Sequence, residues 1–120
     1  MRVLVVVEDN DEMRILVQRA LRSDDRLEVG GWASTAAEAV EEARQTQPDL
    51  AILDHFIFGD VHGLQAAPML KAVSPNTKIL MFSDHDLTTE AEREPAVDAF
   101  LPKQRIRDLL KTVKDLLGLA

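Results

Sequence analysis

The chain has 120 residues, 46% of them hydrophobic, which is room for one ordinary globular core and not for two. Its 21 acids against 14 bases leave a net charge of −7, which argues against direct nucleic-acid binding, because phosphate contacts need a basic surface. The absence of cysteine excludes disulfides, thiol catalysis and thiolate zinc sites. No apolar run approaches the roughly 20 residues a membrane helix needs, and the N-terminus enters a strand without a signal-peptide layout, so a cytoplasmic protein is expected.

Val3 to Val7 is a run of β-favouring residues, read as a buried strand, and it ends in Glu8-Asp9-Asn10-Asp11. A helix follows, capped by Asn10 or Asp11, with Met13, Leu16, Val17, Ala20 and Leu21 on one apolar face. Leu27 to Ala33 is a weaker strand interrupted by Gly30-Gly31. Ser34 or Thr35 caps a helix through about Thr46, with Ala36, Ala39, Val40 and Ala43 inward. Asp49 to Asp54 is a strand apolar on both faces that ends on a carboxylate. The loop from His55 to Gly63 leads into a helix ending near Val73, with Leu64, Ala67 and Leu70 inward. Pro68 predicts an irregular first turn there, or a regular part that begins near Pro68. Lys78 to Phe82 is a fourth strand, ending at Ser83. A short acidic helix follows over Thr88 to Glu94, then a fifth strand over Asp98 to Leu101. A final helix over Gln104 to Leu117 carries Ile106, Leu109, Leu110, Val113, Leu116 and Leu117 on one stripe.

Strands alternating with helices predict an α/β doubly wound parallel sheet with helices on both faces. Right-handed crossovers bring every strand's carboxyl end to one crevice. That crevice would receive Glu8, Asp9, Asp54, Ser83 and Lys103. Three carboxylates there repel one another unless a cation intervenes, and waters can complete the shell of Mg²⁺. The acidic loop after the first strand cannot cradle phosphate itself, unlike a Gly-rich one. It can hold a metal that holds phosphate, which frees Asp54 to act as a nucleophile. Ser83 can then donate to a phosphoryl oxygen and Lys103 neutralise its charge.

These pieces resemble the receiver domain of bacterial two-component response regulators, over the whole chain as a single domain. The matching stretches are Val3 to Asn10, Pro48 to Asp54, Gly63-Leu64, Lys78 to Ser83 and Asp98 to Lys103. The resemblance implies a five-stranded flavodoxin-like sheet in the order 2-1-3-4-5. It implies that Asp54 takes a phosphoryl group from a sensor histidine kinase. It also implies Mg²⁺ held by Asp9 and Asp54 directly, by Glu8 through water, and by the backbone carbonyl of Phe56. Ser83 and Phe100 match the switch positions and Lys103 the phosphate-contacting lysine. The partners implied are the kinase and an output domain or target protein, with a homodimer through the Thr88 to Leu117 face. The domain either stands alone or comes from a longer regulator.

Three departures from the family pattern stand out. Gly63 comes one residue later than usual after Asp54, and Phe58 replaces a proline, so the Phe56 carbonyl is expected to be displaced. Asp84 replaces a small neutral residue beside Ser83, where an inward carboxylate would repel phosphate. The segment from Leu87 to Val97 is short and acidic, so its helix is expected to be frayed or displaced, with its acids solvated or meeting Arg105, Arg107 and Lys111. Phe56 and His85 occupy positions that tune hydrolysis of the acyl phosphate in the family, and an apolar Phe56 predicts a long-lived phosphoryl form. The spacing of His55, His62 and His85 matches no compact zinc motif. Trp32 is read as packing. The alternative function is a degenerate receiver that binds partners without phosphorylation. A phosphatase with an aspartyl nucleophile would want a carboxylate where Phe56 stands.

Overall fold

The computed structural model describes residues 1–7, 11–84 and 86–120. Five strands, β1 (Arg2–Val6), β2 (Glu28–Ala33), β3 (Leu50–Leu53), β4 (Lys78–Ser83) and β5 (Ala99–Pro102), alternate with α1 (Asp11–Arg22), α2 (Ala36–Thr46), α3 (Gly63–Val73), α4 (Thr88–Arg93) and α5 (Leu109–Leu117). The strands form one parallel sheet in the order β2-β1-β3-β4-β5, as expected.

The two-residue alternation of the strands divides the core in two. Val3, Val5, Leu50, Ile52, Leu80 and Phe82 face Val17 and Leu21 of α1 and Leu109 and Val113 of α5. Leu4, Val6, Ala51, Leu53, Ile79 and Met81 face alanines of α2 and Leu70 of α3. The central strand β3 is buried at every position because helices cover both its faces.

Several local expectations are corrected. Leu16 is 39% exposed, so the inner stripe of α1 is narrower than its periodicity implied; Val17 and Leu21 carry the burial. On α3, Ala66 takes the buried position expected of Leu64, which is only half-buried. Pro68 does not delay that helix: it sits inside a continuous segment from Gly63 to Val73. Gly30-Gly31 does not break β2 either. The ladder slips by one residue between Val3 and Leu4, and a side chain on Gly30 would collide with Arg2 carbons at 2.3 and 2.5 Å. The last helix begins as a 3₁₀ segment, Lys103–Asp108, in which Arg105 leaves helical geometry (φ −101°, ψ 34°).

Helix α4 is six residues long and is anchored by buried Leu87 and Ala91. Asp86 accepts from the backbone and hydroxyl of Thr88 at 3.2 and 2.8 Å, tying its first turn. Its exposed acids do not account for the pairing of the last helix: Arg105 pairs with Asp108 at 2.7 Å and Lys111 with Asp115 at 3.8 Å. No helix among the described residues is long and apolar enough to cross a membrane.

Candidate functional site

Register fixes which side chains meet. Leu53 pairs with Met81, and Ser83 with Pro102, so Asp54, Ser83 and Lys103 leave three adjacent strands at the same edge. Asp54 is held from behind by its own N–H, which donates to the Val6 carbonyl at 2.9 Å. Its side chain is 7% exposed and accepts from the Lys103 ammonium through Oδ2 at 2.6 Å. Oδ1 accepts only a long bond from the Phe56 N–H, at 3.3 Å, among the contacts described for it. Ser83 is fully buried. Phe100 is half-buried on β5 and lines a cavity of about 370 Å³ with Thr88, Ala91, Glu92 and Arg105.

A buried carboxylate is costly unless paired, and removing one partner leaves an uncompensated charge. The Lys103 ammonium meets that need in one direction only. The remaining Oδ1 is the kind of hard oxygen donor that suits Mg²⁺, so the residues described fit that cation. Glu8 and Asp9, the other expected carboxylates, lie outside the described residues, as does His85. Among the described residues no group of three metal-ligating side chains is assembled.

The loop after Asp54 brings Gly63 back against the end of β3. A side chain at Gly63 would meet the Asp54 carbonyl oxygen at 2.0 Å, and the Gly63 N–H donates to the His55 carbonyl at 2.8 Å. Only glycine permits so close a backbone approach. The rings of His55, Phe56 and His62 cluster, with centroids 5.0 to 5.8 Å apart. Asp84 is exposed at the end of β4. Trp32 packs against the α1 side of the core, with the Arg14 guanidinium 5.3 Å from its ring.

Sequence reasoning missed a contact between the loop and the connection that follows β2. Phe58 donates its N–H to the Ser34 carbonyl at 2.8 Å, and one parallel bridge pairs Phe58 with Thr35. The alternation Phe56 out, Ile57 in (4% exposed) and Phe58 out could have pointed to an extended segment.

Comparison with known proteins agrees with this geometry. The model of the response regulator receiver domain matches residues 4–114. The chain therefore belongs to that family, the phosphorelay signalling domains of two-component systems. Response regulator protein VraR of Staphylococcus saprophyticus is 26% identical over 102 residues, covering 83% of this chain and 48% of that protein. VraR of Staphylococcus aureus is 28% identical over the same shares. The chain thus spans about half the length of the curated relatives it matches. Among solved structures, the signal receiver domain of the putative response regulator NarL from Mycobacterium tuberculosis superposes with a TM-score of 0.84 at 29% identity, covering 98% of this chain and 95% of that one. The response regulator domain of Thermotoga maritima CheB gives 0.83 at 24% identity, covering 100% and 98%, a likeness of fold.

Proposed function

We propose that Asp54 is the phosphoacceptor of this receiver, taking a phosphoryl group from a histidine of a sensor kinase in the cytoplasm. The observation that carries the reading is the buried carboxylate of Asp54, paired with Lys103 at 2.6 Å beside buried Ser83. In the transfer an Asp54 oxygen attacks phosphorus, the P–O bond forms as the P–N bond breaks, and the imidazole nitrogen keeps the electron pair. Lys103 then follows the charge onto a phosphoryl oxygen, and the Ser83 hydroxyl donates to another. Receiver domains bind Mg²⁺ in general; Asp54, Asp9 and the Phe56 carbonyl would hold it, with Glu8 acting through water. When bound, Mg²⁺ supplies positive charge against the phosphoryl oxygens.

Movement of Ser83 toward the phosphoryl group would draw Phe100 into the cavity beside it and reshape the Thr88 to Leu117 face. A second copy of the chain or an output domain would read that face. Residues 1–120 are taken as one receiver domain, working by signalling rather than by turnover of a separate substrate. Beryllofluoride with Mg²⁺ should shift the amide resonances of Asp54, Ser83 and Phe100 and promote association in sedimentation. No response at Asp54 or Ser83 would favour the degenerate, phosphorylation-independent reading. Exposed Asp84 supports the phosphorylated reading, because a carboxylate in solvent repels phosphate weakly. Phe56 cannot orient an attacking water, so the Phe56→Asn variant should lose its phosphoryl group faster than the wild type. Equal decay rates would sink that role and leave Asp84 and His85 as the remaining candidates for tuning the rate.

A further inference from the structure

We infer that the backbone bridge from Phe58 to Ser34 is the device that positions the Phe56 carbonyl for Mg²⁺; this rests on the reading of the Mg²⁺ site above. The chain of causes starts in the sequence at Thr35-Ala36-Ala37-Glu38. Thr35 is the N-cap: its hydroxyl accepts from the Glu38 N–H at 3.1 Å, and the Glu38 carboxylate accepts from the Ser34 and Thr35 hydroxyls at 3.1 and 3.3 Å. The start of α2 is therefore a rigid anchor, and the Ser34 carbonyl on it points its acceptor at the Phe58 N–H, 2.8 Å away.

The bridge spans the sheet from the end of β2 to the segment beyond β3, although β1 lies between those strands. It holds Ile57 in the core at 4% exposure. The peptide that carries the Phe56 carbonyl is thus fixed at both ends. On one side the Phe56 N–H donates to Asp54 Oδ1 at 3.3 Å, and on the other Ile57 is buried and Phe58 is tied down. After the bridge the loop turns at Gly59, which takes a positive φ of 94°. In this reading the bridge sets where the Phe56 carbonyl points, and the α2 start becomes a positioning element of the metal site.

The test is a Mg²⁺ titration of the full chain, followed by amide shifts at Ser83. Phe58→Pro removes the donated hydrogen and should weaken Mg²⁺ about 10-fold or more, the size of effect seen when an outer-shell support of a metal site is lost. Phe58→Leu keeps the N–H and should bind as the wild type does. Exchange of the Phe58 amide in the wild type, which needs no variant to fold, should be slow and should slow further with Mg²⁺, since coupling between the bridge and the metal is reciprocal. Equal Mg²⁺ affinity in wild type and Phe58→Pro, or a Phe58 amide that exchanges as an exposed one and ignores Mg²⁺, would overturn the bridge's role alone. A wild type that binds no Mg²⁺ would overturn the reading of the metal site and this role with it.

Discussion

At the N-terminal end of the strands, Thr77 donates to the Pro48 carbonyl at 2.7 Å, and its hydroxyl lies 2.6 Å from that of Ser74. Asp49 accepts from the Arg2 N–H at 2.8 Å, and its carbonyl accepts from the Lys78 N–H at 3.0 Å. At the other end Asp54 and Ser83 are buried too, but among the contacts of the described residues Asp54 Oδ1 has one long bond. The described residues bury four polar side chains of this kind, Asp54, Ser74, Thr77 and Ser83, two at each end. Buried polar groups are normally saturated. The end that saturates them is structural, and the end that holds one in reserve has the means for chemistry. Substitutions should therefore separate: changes at the N-terminal end should alter stability alone, and changes at the Asp54 end should alter both stability and phosphoryl chemistry.

The largest effect should come from Gly63→Ala. The added carbon would lie 2.0 Å from the Asp54 carbonyl oxygen and 3.0 Å from His55 Cα, both backbone, so the strand end or the helix must move. Overpacking of this kind should cost about 3 kcal/mol in urea unfolding, with beryllofluoride binding reduced as well. Lys103→Met should follow, at about 2–3 kcal/mol, because it leaves the Asp54 carboxylate buried without its cation. Added Mg²⁺ should recover part of that loss, since a second cation can replace the ammonium. A Lys103→Met protein as stable as the wild type with and without Mg²⁺ would mean that the pair with Asp54 contributes nothing to the fold. Thr77→Val comes next, at about 1–2 kcal/mol, as the Pro48 carbonyl loses the Thr77 hydroxyl and the Ser74 hydroxyl keeps only Gln47 of its two side-chain partners. The rate of phosphorylation by acetyl phosphate should not change in that variant; a clear change would break the division between the two ends.

The division also explains what could be read without coordinates. The convergence of Asp54, Ser83 and Lys103 follows from apolar runs ending in polar residues, because right-handed parallel crossovers bring the strand ends to one edge, whereas the strand order came with the family resemblance. Helix faces were less legible. Leu16 fits the periodicity of α1 and is exposed, because the sheet covers a narrower stripe than the apolar pattern offers. Pro68 predicts a disturbance by its chemistry, yet an exposed proline can ride on the outer face of a helix held by buried Ala66, Ala67 and Leu70. The bridge from Phe58 to Ser34 was invisible because it joins two connections, each outside any strand, through backbone atoms that all residues share.

The smallest expected effect concerns acid, and it belongs to the N-terminal end. Asp24, in the turn before β2, accepts from the Arg26 side chain at 2.9 and 2.6 Å and from its backbone N–H at 3.0 Å, with Lys114 at 3.6 Å. The Arg26 guanidinium, first through these hydrogen bonds and then through its charge, holds the Asp24 carboxyl well below the usual carboxylate range. The unfolded chain lacks that arrangement, so its Asp24 takes up a proton at higher pH than the folded one. The stability this contributes is complete above the unfolded value, about pH 4, and is lost as pH falls through it toward the depressed folded value. Asp24→Asn should therefore lower the urea midpoint near neutral pH and flatten its decline on acidification, and the two proteins should converge in strong acid. If the gap between them instead widened below about pH 4, Asp24 would be protonated in the fold, and this end of the sheet would hold a titrating group that its geometry does not account for.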